Sequence, residues 1–396
     1  MTGQRILIVA GEASSDAHGA GLVRALEGLG LKASFYGIGG PALERAGMRM
    51  LGRSEDLAVV GIIEALRVIP QALRLLWRMK RELEQNPPDL FLPIDAPEFN
   101  LRLARAAQRN GVPILYFIAP QLWAWRPGRV RILRECVREL LVLFPFEEHW
   151  FRERGVPTTH IGHPLVDTSR HHGYPADLRE RLGAKGSSPL GLLLPGSRRV
   201  EVRRHLPILA EAAAMIQRRE PSIRWVLRQA DTLEESCYRP HAERAGIQLR
   251  SEPLFDLAAV ADVAVAVSGT ASFETALMGT PTVVVYRVNP LTWWLARRIV
   301  RVPWISMANL VSARPILPEL LQNDCSPGRI ADEVEALLRN AQRRDQMRHD
   351  LLKMRAEFGS SGAYERAAAR VMAHLRPGES CAQGATAAAA GEGEGR

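Results

Sequence analysis

Short apolar runs recur in the first part of the chain at residues 6–10, 34–38, 90–94, 114–118 and 140–144, with amphipathic stretches between them. Runs of this length suit strands buried on both faces. Their alternation with helical stretches is the pattern of βαβ units and a parallel sheet. From 163 to 188 the texture changes to "HPLVDTSRHHGYPADLRERLGAKGSS", polar and punctuated by Pro and Gly, which predicts a domain boundary. A second series of runs follows at 191–194, 223–227, 263–267 and 283–286. The pattern predicts an α/β protein of two doubly wound domains, 1–165 and 189–340, joined by a linker at 166–188 and facing a cleft. Beyond Pro327 the periodicity is helical to about Arg376, giving C-terminal helices at 341–376. The tail at 377–396 lacks aromatic and branched aliphatic residues and is expected to be disordered.

Composition narrows the partners. A chain of 396 residues with a 46% hydrophobic share can fill two cores. The net charge of +9 comes mostly from arginine, because lysine occurs only at Lys32, Lys80, Lys185 and Lys353. That sign favours phosphates, nucleic acid or an acidic membrane face. The basic residues are not gathered into a nucleic-acid module, so nucleic acid is not expected as a partner. Cys136, Cys237, Cys325 and Cys381 are scattered without a CxxC pair, which argues against zinc and for a reducing, cytoplasmic compartment. The first apolar run is shorter than a secretory signal core, and no stretch reaches the roughly 18 apolar residues that span a bilayer. Any contact with a membrane is therefore expected at its surface.

Five stretches place reactive residue types at strand ends. In "VAGEASSDAHGAGLVRAL" (9–26) the start of a helix is crowded with Ser14, Ser15 and Asp16, which either cap it or, with Glu12, face a ligand. In "LFLPIDAPEFN" (90–100) Asp95 follows an apolar strand directly; it is a general base or, like Asn100, a helix cap. "YFIAPQLWAWRPGRVRIL" (116–133) interleaves Trp123 and Trp125 with Arg126, Arg129 and Arg131, as core and solvated residues or as a site for an amphipathic phosphate. In "LLLPGSRRVEV" (192–202) Gly196 permits a sharp turn, and Ser197, Arg198 and the following helix N-terminus suit a diphosphate. "AVAVSGTASFETALMGTPTVV" (264–284) repeats the arrangement with Ser268, Gly269 and Thr270, and adds Glu274, either a first-turn residue or an acceptor for ribose hydroxyls.

Two basic, apolar stretches remain. A helix at 71–85, with Pro70 in its first turn, spreads Ala72, Leu73, Leu75, Leu76, Trp77, Met79 and Leu83 over a wide arc flanked by Arg74, Arg78 and Arg81. It suits a bilayer interface or a partner helix. "NPLTWWLARRIVRVPW" (289–304), with Trp293 and Trp294, allows the same readings and a dimer contact. The loop pair His160 and His163 has no evident third ligand and reads as structural.

Taken together, "VAGEASSD", "DLAVVGIIEAL", "IDAPEFN", "PQLWAWRPGRV", "FPFEEHWF", "IGHPLVD", "LLLPGSRRVEV", "SGTASFETAL", "PTVVVYRVNPLTWWLARR" and "ISMANLV" resemble the lipid-A-disaccharide synthase family of bacterial glycosyltransferases, in order from about Arg5 to Gln322. The resemblance implies a GT-B architecture of two Rossmann-like domains, with the nucleotide in the C-terminal one and the acceptor in the N-terminal one. It implies an inverting transfer, without cofactor or metal, from a UDP-diacylglucosamine donor to diacylglucosamine 1-phosphate (lipid X). The work would be done at the inner face of the cytoplasmic membrane, by a monomer or a homodimer. It makes Asp95 the general base with Glu12 and Ser14 nearby, Arg198 the diphosphate contact, and Glu274 and Asn309 nucleotide-site residues. Ser15 stands where the family's first motif usually carries Gly, and serine would be strained if that position required positive φ. The rival readings are another UDP-sugar enzyme of the same architecture, such as an epimerase or a peptidoglycan-type transferase, and a non-catalytic nucleotide binder at the membrane.

Overall fold

A computed structural model describes residues 3–57, 62–173, 175, 177–300 and 302–375. Residues 58–61 of "DLAVVGIIEAL" and the tail at 377–396 lie outside them. Within the described residues the chain forms two parallel sheets. The first comprises β1 (Gln4–Ala10), β2 (Ala33–Gly39), β3 (Arg49–Arg53), β4 (Leu90–Ile94), β5 (Leu115–Phe117), β6 (Glu139–Val142) and β7 (Thr158–His160). The second comprises β8 (Leu190–Leu194), β9 (Arg224–Arg228), β10 (Gln248–Arg250), β11 (Val263–Val267), β12 (Thr282–Tyr286) and β13 (Glu319–Leu321). Their strand orders are β3-β2-β1-β4-β5-β6-β7 and β10-β9-β8-β11-β12-β13.

The central strands explain the apolar runs. In β1, Ile6, Ile8 and Ala10 enter one hydrophobic cluster while Leu7 and Val9 enter another on the opposite face, so no position from Ile6 to Ala10 meets water. The four strands that carry no such run, β3, β7, β10 and β13, are the four sheet edges, where one flank is unpaired and polar residues are tolerated.

In each sheet the chain winds outward on one side and then restarts on the other. The reversal falls between β1 and β4 in the first sheet and between β8 and β11 in the second. Loops leaving the two strands at such a point diverge and open a crevice at their carboxyl ends.

Two expectations about helices change. Pro70 does not open its helix: the helix runs Ile62–Gln85 with Pro70 inside it, which removes one intrahelical N–H donor. Its arc is split, with Leu75, Leu76, Met79 and Leu83 buried, Leu73 49% and Trp77 65% exposed, and Arg81 lying over the Trp77 ring. In the Pro290–Ile299 helix Trp294 is 53% and Leu291 73% exposed, with the Arg298 guanidinium 3.6 Å from the Trp294 ring, so Trp294 is not a core residue.

The last helix, Ala363–Leu375, returns to the first sheet. Tyr364 packs over Gly21, where a Cβ would come within 2.4 Å of its ring, and Gln4 Nε2 donates to the Leu375 carbonyl at 3.1 Å. Its start is capped by Asp167 of the Pro164–His171 helix, which accepts from the Gly362 and Ala363 N–H groups at 3.0 and 2.8 Å. Its far end is fastened to Glu139 at the start of β6, which accepts from Arg370 Nη2 at 2.9 Å, Thr159 Oγ1 at 2.5 Å and His374 Nε2 at 2.7 Å.

Burial pushes the Glu139 pKa up, and these hydrogen bonds outweigh it, holding it at about 2. Replacing Arg370 by Met leaves the buried carboxylate with Thr159 and His374 alone and should cost about 2 kcal/mol in urea unfolding at pH 7. Because the folded pKa is depressed, this contribution is present above the unfolded value of about 4.3 and disappears as the pH falls toward 2. Unfolding midpoints of the two proteins should therefore converge in acid.

Candidate active site

At the reversal point of the first sheet the loops after β1 and β4 touch. Gly11 is required there, because a Cβ would lie 2.6 Å from that of Ala96. Asp95 and Ala96 both adopt φ of +46°, a left-handed pair that only a rigid surrounding maintains. Asn100, fully buried, supplies it: its Nδ2 donates to the Asp95 carbonyl at 2.8 Å and lies 3.3 Å from the carbonyls of Val9 and Ile94. The Tyr116 hydroxyl donates to the Asp95 carbonyl as well, at 2.6 Å. The capping reading of Asp95 and Asn100 therefore fails, since the residue before the Pro97–Arg109 helix is Ala96 and no side chain caps it. Freed from capping, the Asp95 carboxyl has its pKa pushed up to about 6, first by burial and then by the charge of Glu12.

Glu12 and Ser14 are exposed at the start of the Ala13–Gly28 helix, and neither caps it. Ser15 lies within the helix and outside the positive-φ residues, so its replacement of glycine carries no strain. Asp16 is buried and braces the neighbouring loop, accepting from the N–H groups of Gly40, Ala42 and Leu43 at 2.7, 2.8 and 3.1 Å.

Trp123 is buried, edge-on to Phe146, and its Nε1 donates to Glu147 at 3.0 Å. Glu147, which sequence reasoning passed over, is 2% exposed; burial raises its pKa to about 7, and Asp95 adds to the rise. Its position three residues after Phe144, whose N–H donates to it at 3.2 Å, was the available signal. Arg126 lies over Trp125 and pairs with Glu98 at 2.6 Å, and Arg129 pairs with the same carboxylate at 2.7 Å.

At the reversal point of the second sheet a cavity of about 560 Å³ opens between the loops after β8 and β11. Ser197, Arg198, Ser268, Gly269, Thr270 and Glu274 all line it, although the two stretches are separated in sequence by the whole of β9 and β10. Gly196, at φ +110°, makes the turn; a Cβ there would come within 2.7 Å of Glu201. Glu201 accepts from the Ser197 and Arg198 N–H groups at 3.1 and 3.3 Å and draws the Arg198 guanidinium to 3.3 Å. Burial raises the Glu274 pKa to about 7, against the attraction of Arg228.

Arg228 and Tyr286, the last residues of β9 and β12, also line the cavity; the run at 223–227 stops one residue short of Arg228, and Tyr286 reads as the end of the run at 283–286. Arg228 is held by both Asp231 oxygens at 3.2 Å.

Asn309 is not brought to this cavity. It is fully buried, and its amide is consumed by Leu317 N–H at 2.8 Å, the Leu317 carbonyl at 2.9 Å and Glu319 at 2.8 Å. His163 is structural: its Nδ1 accepts from Leu165 N–H at 3.1 Å, and burial lowers its pKa to about 3. Its ring centroid lies 6.4 Å from that of His18 and 5.1 Å from that of Phe273, so it joins the Ala13–Gly28 helix to the Thr270–Leu277 helix across the two domains.

The profile of the lipid-A-disaccharide synthetase family matches residues 6–372. The lipid-A-disaccharide synthase of Geobacter sulfurreducens is 39% identical over 376 residues, covering 94% of this chain and 98% of the relative. The chain belongs to the lipid-A-disaccharide synthase family. The synthase of Coxiella burnetii is 35% identical, covering 93% and 98%. Among solved structures, the glycosyltransferase of kitacinnamycin aligns with a TM-score of 0.59 at 18% identity, over 95% of this chain and 100% of that one. A UDP-GlcNAc 2-epimerase from Neisseria meningitidis aligns with a TM-score of 0.57 at 11% identity, over 94% and 99%. These structures share the GT-B fold with this chain of the family. A fold common to transferases and epimerases does not separate the two activities.

Proposed function

We propose that the protein condenses UDP-2,3-diacylglucosamine with 2,3-diacylglucosamine 1-phosphate to give the β-1,6-linked lipid A disaccharide 1-phosphate and UDP. The reading is carried by one observation: two phosphate-type loops distant in sequence open onto a single cavity beside an uncommitted carboxyl, Glu274. Family membership favours this transferase over an epimerase or a non-catalytic binder.

Asp95 accepts the proton of the acceptor's primary hydroxyl as the oxygen attacks the anomeric carbon, and the bond from that carbon to the UDP oxygen breaks. A pKa of about 6 leaves Asp95 ionised at neutral pH yet basic enough for the task. Arg198, Thr270 and the first-turn N–H groups of the Thr270–Leu277 helix stabilise the negative charge that grows on the departing diphosphate. Arg228 adds positive charge to the same cavity. Glu274 accepts the ribose hydroxyls. Glu12 sharpens the basicity of Asp95, and Ser14 lies beside the acceptor. Trp123 and Arg126 act through the acceptor-side loop, one by packing and one by its pair with Glu98.

The acylated substrates account for the unburied residues of two helices. Leu73 and Trp77, bordered by Arg74, Arg78 and Arg81, and Leu291 and Trp294, bordered by Arg297 and Arg298, suit an anionic bilayer surface. No helix among the described residues is long and apolar enough to cross a membrane. The attachment proposed is to the bilayer surface.

Purified protein given both acylated substrates should yield a disaccharide phosphate and UDP by mass spectrometry. Asp95→Asn should lower turnover by about 10²–10⁴-fold with UDP affinity unchanged, and near-normal turnover would reject the base assignment. Since Asp95 must be ionised, wild-type kcat/KM for the acceptor should fall as the pH drops through about 6. Arg198→Ala should lose both donor affinity and rate, because its contact strengthens as charge develops. Flotation with anionic vesicles should weaken at high salt and on replacing Arg74, Arg78 and Arg81 together; salt-insensitive flotation would remove the electrostatic part.

A further inference from the structure

Ile305 and Ser306, which lead into the Met307–Ser312 helix, are fixed by a single side chain. Glu319, the first residue of β13, accepts from Ile305 N–H at 3.0 Å through one carboxylate oxygen. Through the other it accepts from Ser306 N–H at 3.0 Å and from Asn309 Nδ2 at 2.8 Å. Asn309 is itself locked to both polar groups of the Leu317 backbone, so the carboxylate is held from three sides. Clamped in this way, Ile305 presents its carbonyl to Ser268, whose hydroxyl donates to it at 2.9 Å.

A carbonyl can only accept, so the direction of that bond is settled by chemistry. The Ser268 N–H is also spent, on the Val285 carbonyl at 3.0 Å. Ser268 therefore has no proton left to give a phosphate; toward the cavity it offers oxygen lone pairs alone. This reverses the role its position in a phosphate-type loop suggests.

Resting on the donor-site reading above, we propose that Glu319 is a positioning residue that makes Ser268 an acceptor in the donor cavity, selecting a hydroxyl or N–H group of the nucleotide sugar and repelling a misplaced phosphate oxygen. Asn309 belongs to the same chain of contacts and reaches the donor only through it.

The test is a double-mutant cycle on the full-length enzyme with the UDP-diacylglucosamine donor. Ser268→Ala and Glu319→Gln should each raise donor KM about tenfold with kcat within about twofold of wild type, the size of one lost hydrogen bond to bound donor. The double variant should be no worse than either single one, because both act through one hydroxyl. Amide exchange at Ile305 and Ser306 should accelerate in Glu319→Gln and stay slow in Ser268→Ala. Additive effects, or a Glu319→Gln donor KM that is unchanged or lower, would overturn the proposal, since a hydroxyl released from Ile305 could then donate to phosphate. Should Glu319→Gln lose the folded state by thermal melting, Glu319→Asp is read in its place with the same expected direction. Wild-type turnover measured in the same series separates the two ideas: its absence overturns the donor-site reading, whereas normal wild-type turnover with an unmoved variant overturns the positioning alone.

Discussion

Two pairs of adjacent parallel strands govern this molecule: β1 beside β4, and β8 beside β11. Neighbouring parallel strands end on the same side, and where the winding reverses their outgoing loops cannot pack against each other's connections. In the second sheet this opens the cavity lined by Ser197 and Ser268; in the first the loops after β1 and β4 meet at Gly11 and Ala96, with Asp95 at that contact. Arginine supply, carboxyl burial and loop strain then determine what these loops can bind.

Three carboxyls in the segments that follow β4, β6 and β11 share an electrostatic condition that their roles exploit differently. Asp95, Glu147 and Glu274 are all raised mainly by burial, to about 6, 7 and 7. Glu147 is relieved by three hydrogen bonds, from Trp123, Phe144 and Leu143, and is tied into the protein. Asp95 takes most of its support on its main-chain carbonyl, and its carboxyl is relieved by the Ala96 N–H alone. Glu274 sits against the field of Arg228 and faces open volume. Burial, rather than a paired arginine, dominates the shift of both Asp95 and Glu274, and both stand where a substrate is proposed to bind.

Strands buried on two faces were legible because every position along them must be apolar, whereas β3, β7, β10 and β13 were not, because an edge is wet on one flank and short. Asp95 could be singled out by its place after β4, but not its left-handed backbone, which depends on Asn100 folding back onto Val9. The loops at 196–198 and 268–270 were visible as small-residue turns; that they share one cavity is a product of β8 and β11 being neighbours. Tyr286 escaped notice because it reads as one more apolar strand residue, and Arg228 because no small-residue turn follows it to mark a binding loop. Asn309 misled for the opposite reason: its partners, Leu317 and Glu319, are supplied by tertiary contact, and no local pattern announces them.

The closing helix, Ala363–Leu375, lies against the layer that the ribosome makes first. Until it emerges, Glu139 has no Arg370 or His374, and the ring of Tyr364 is missing from Gly21. Contacts spanning nearly the whole chain close late, so the first sheet lacks these fastenings until the carboxyl-terminal helix has been made. A message truncated shortly before Ala363 would leave that sheet without them, although it encodes every one of its strands.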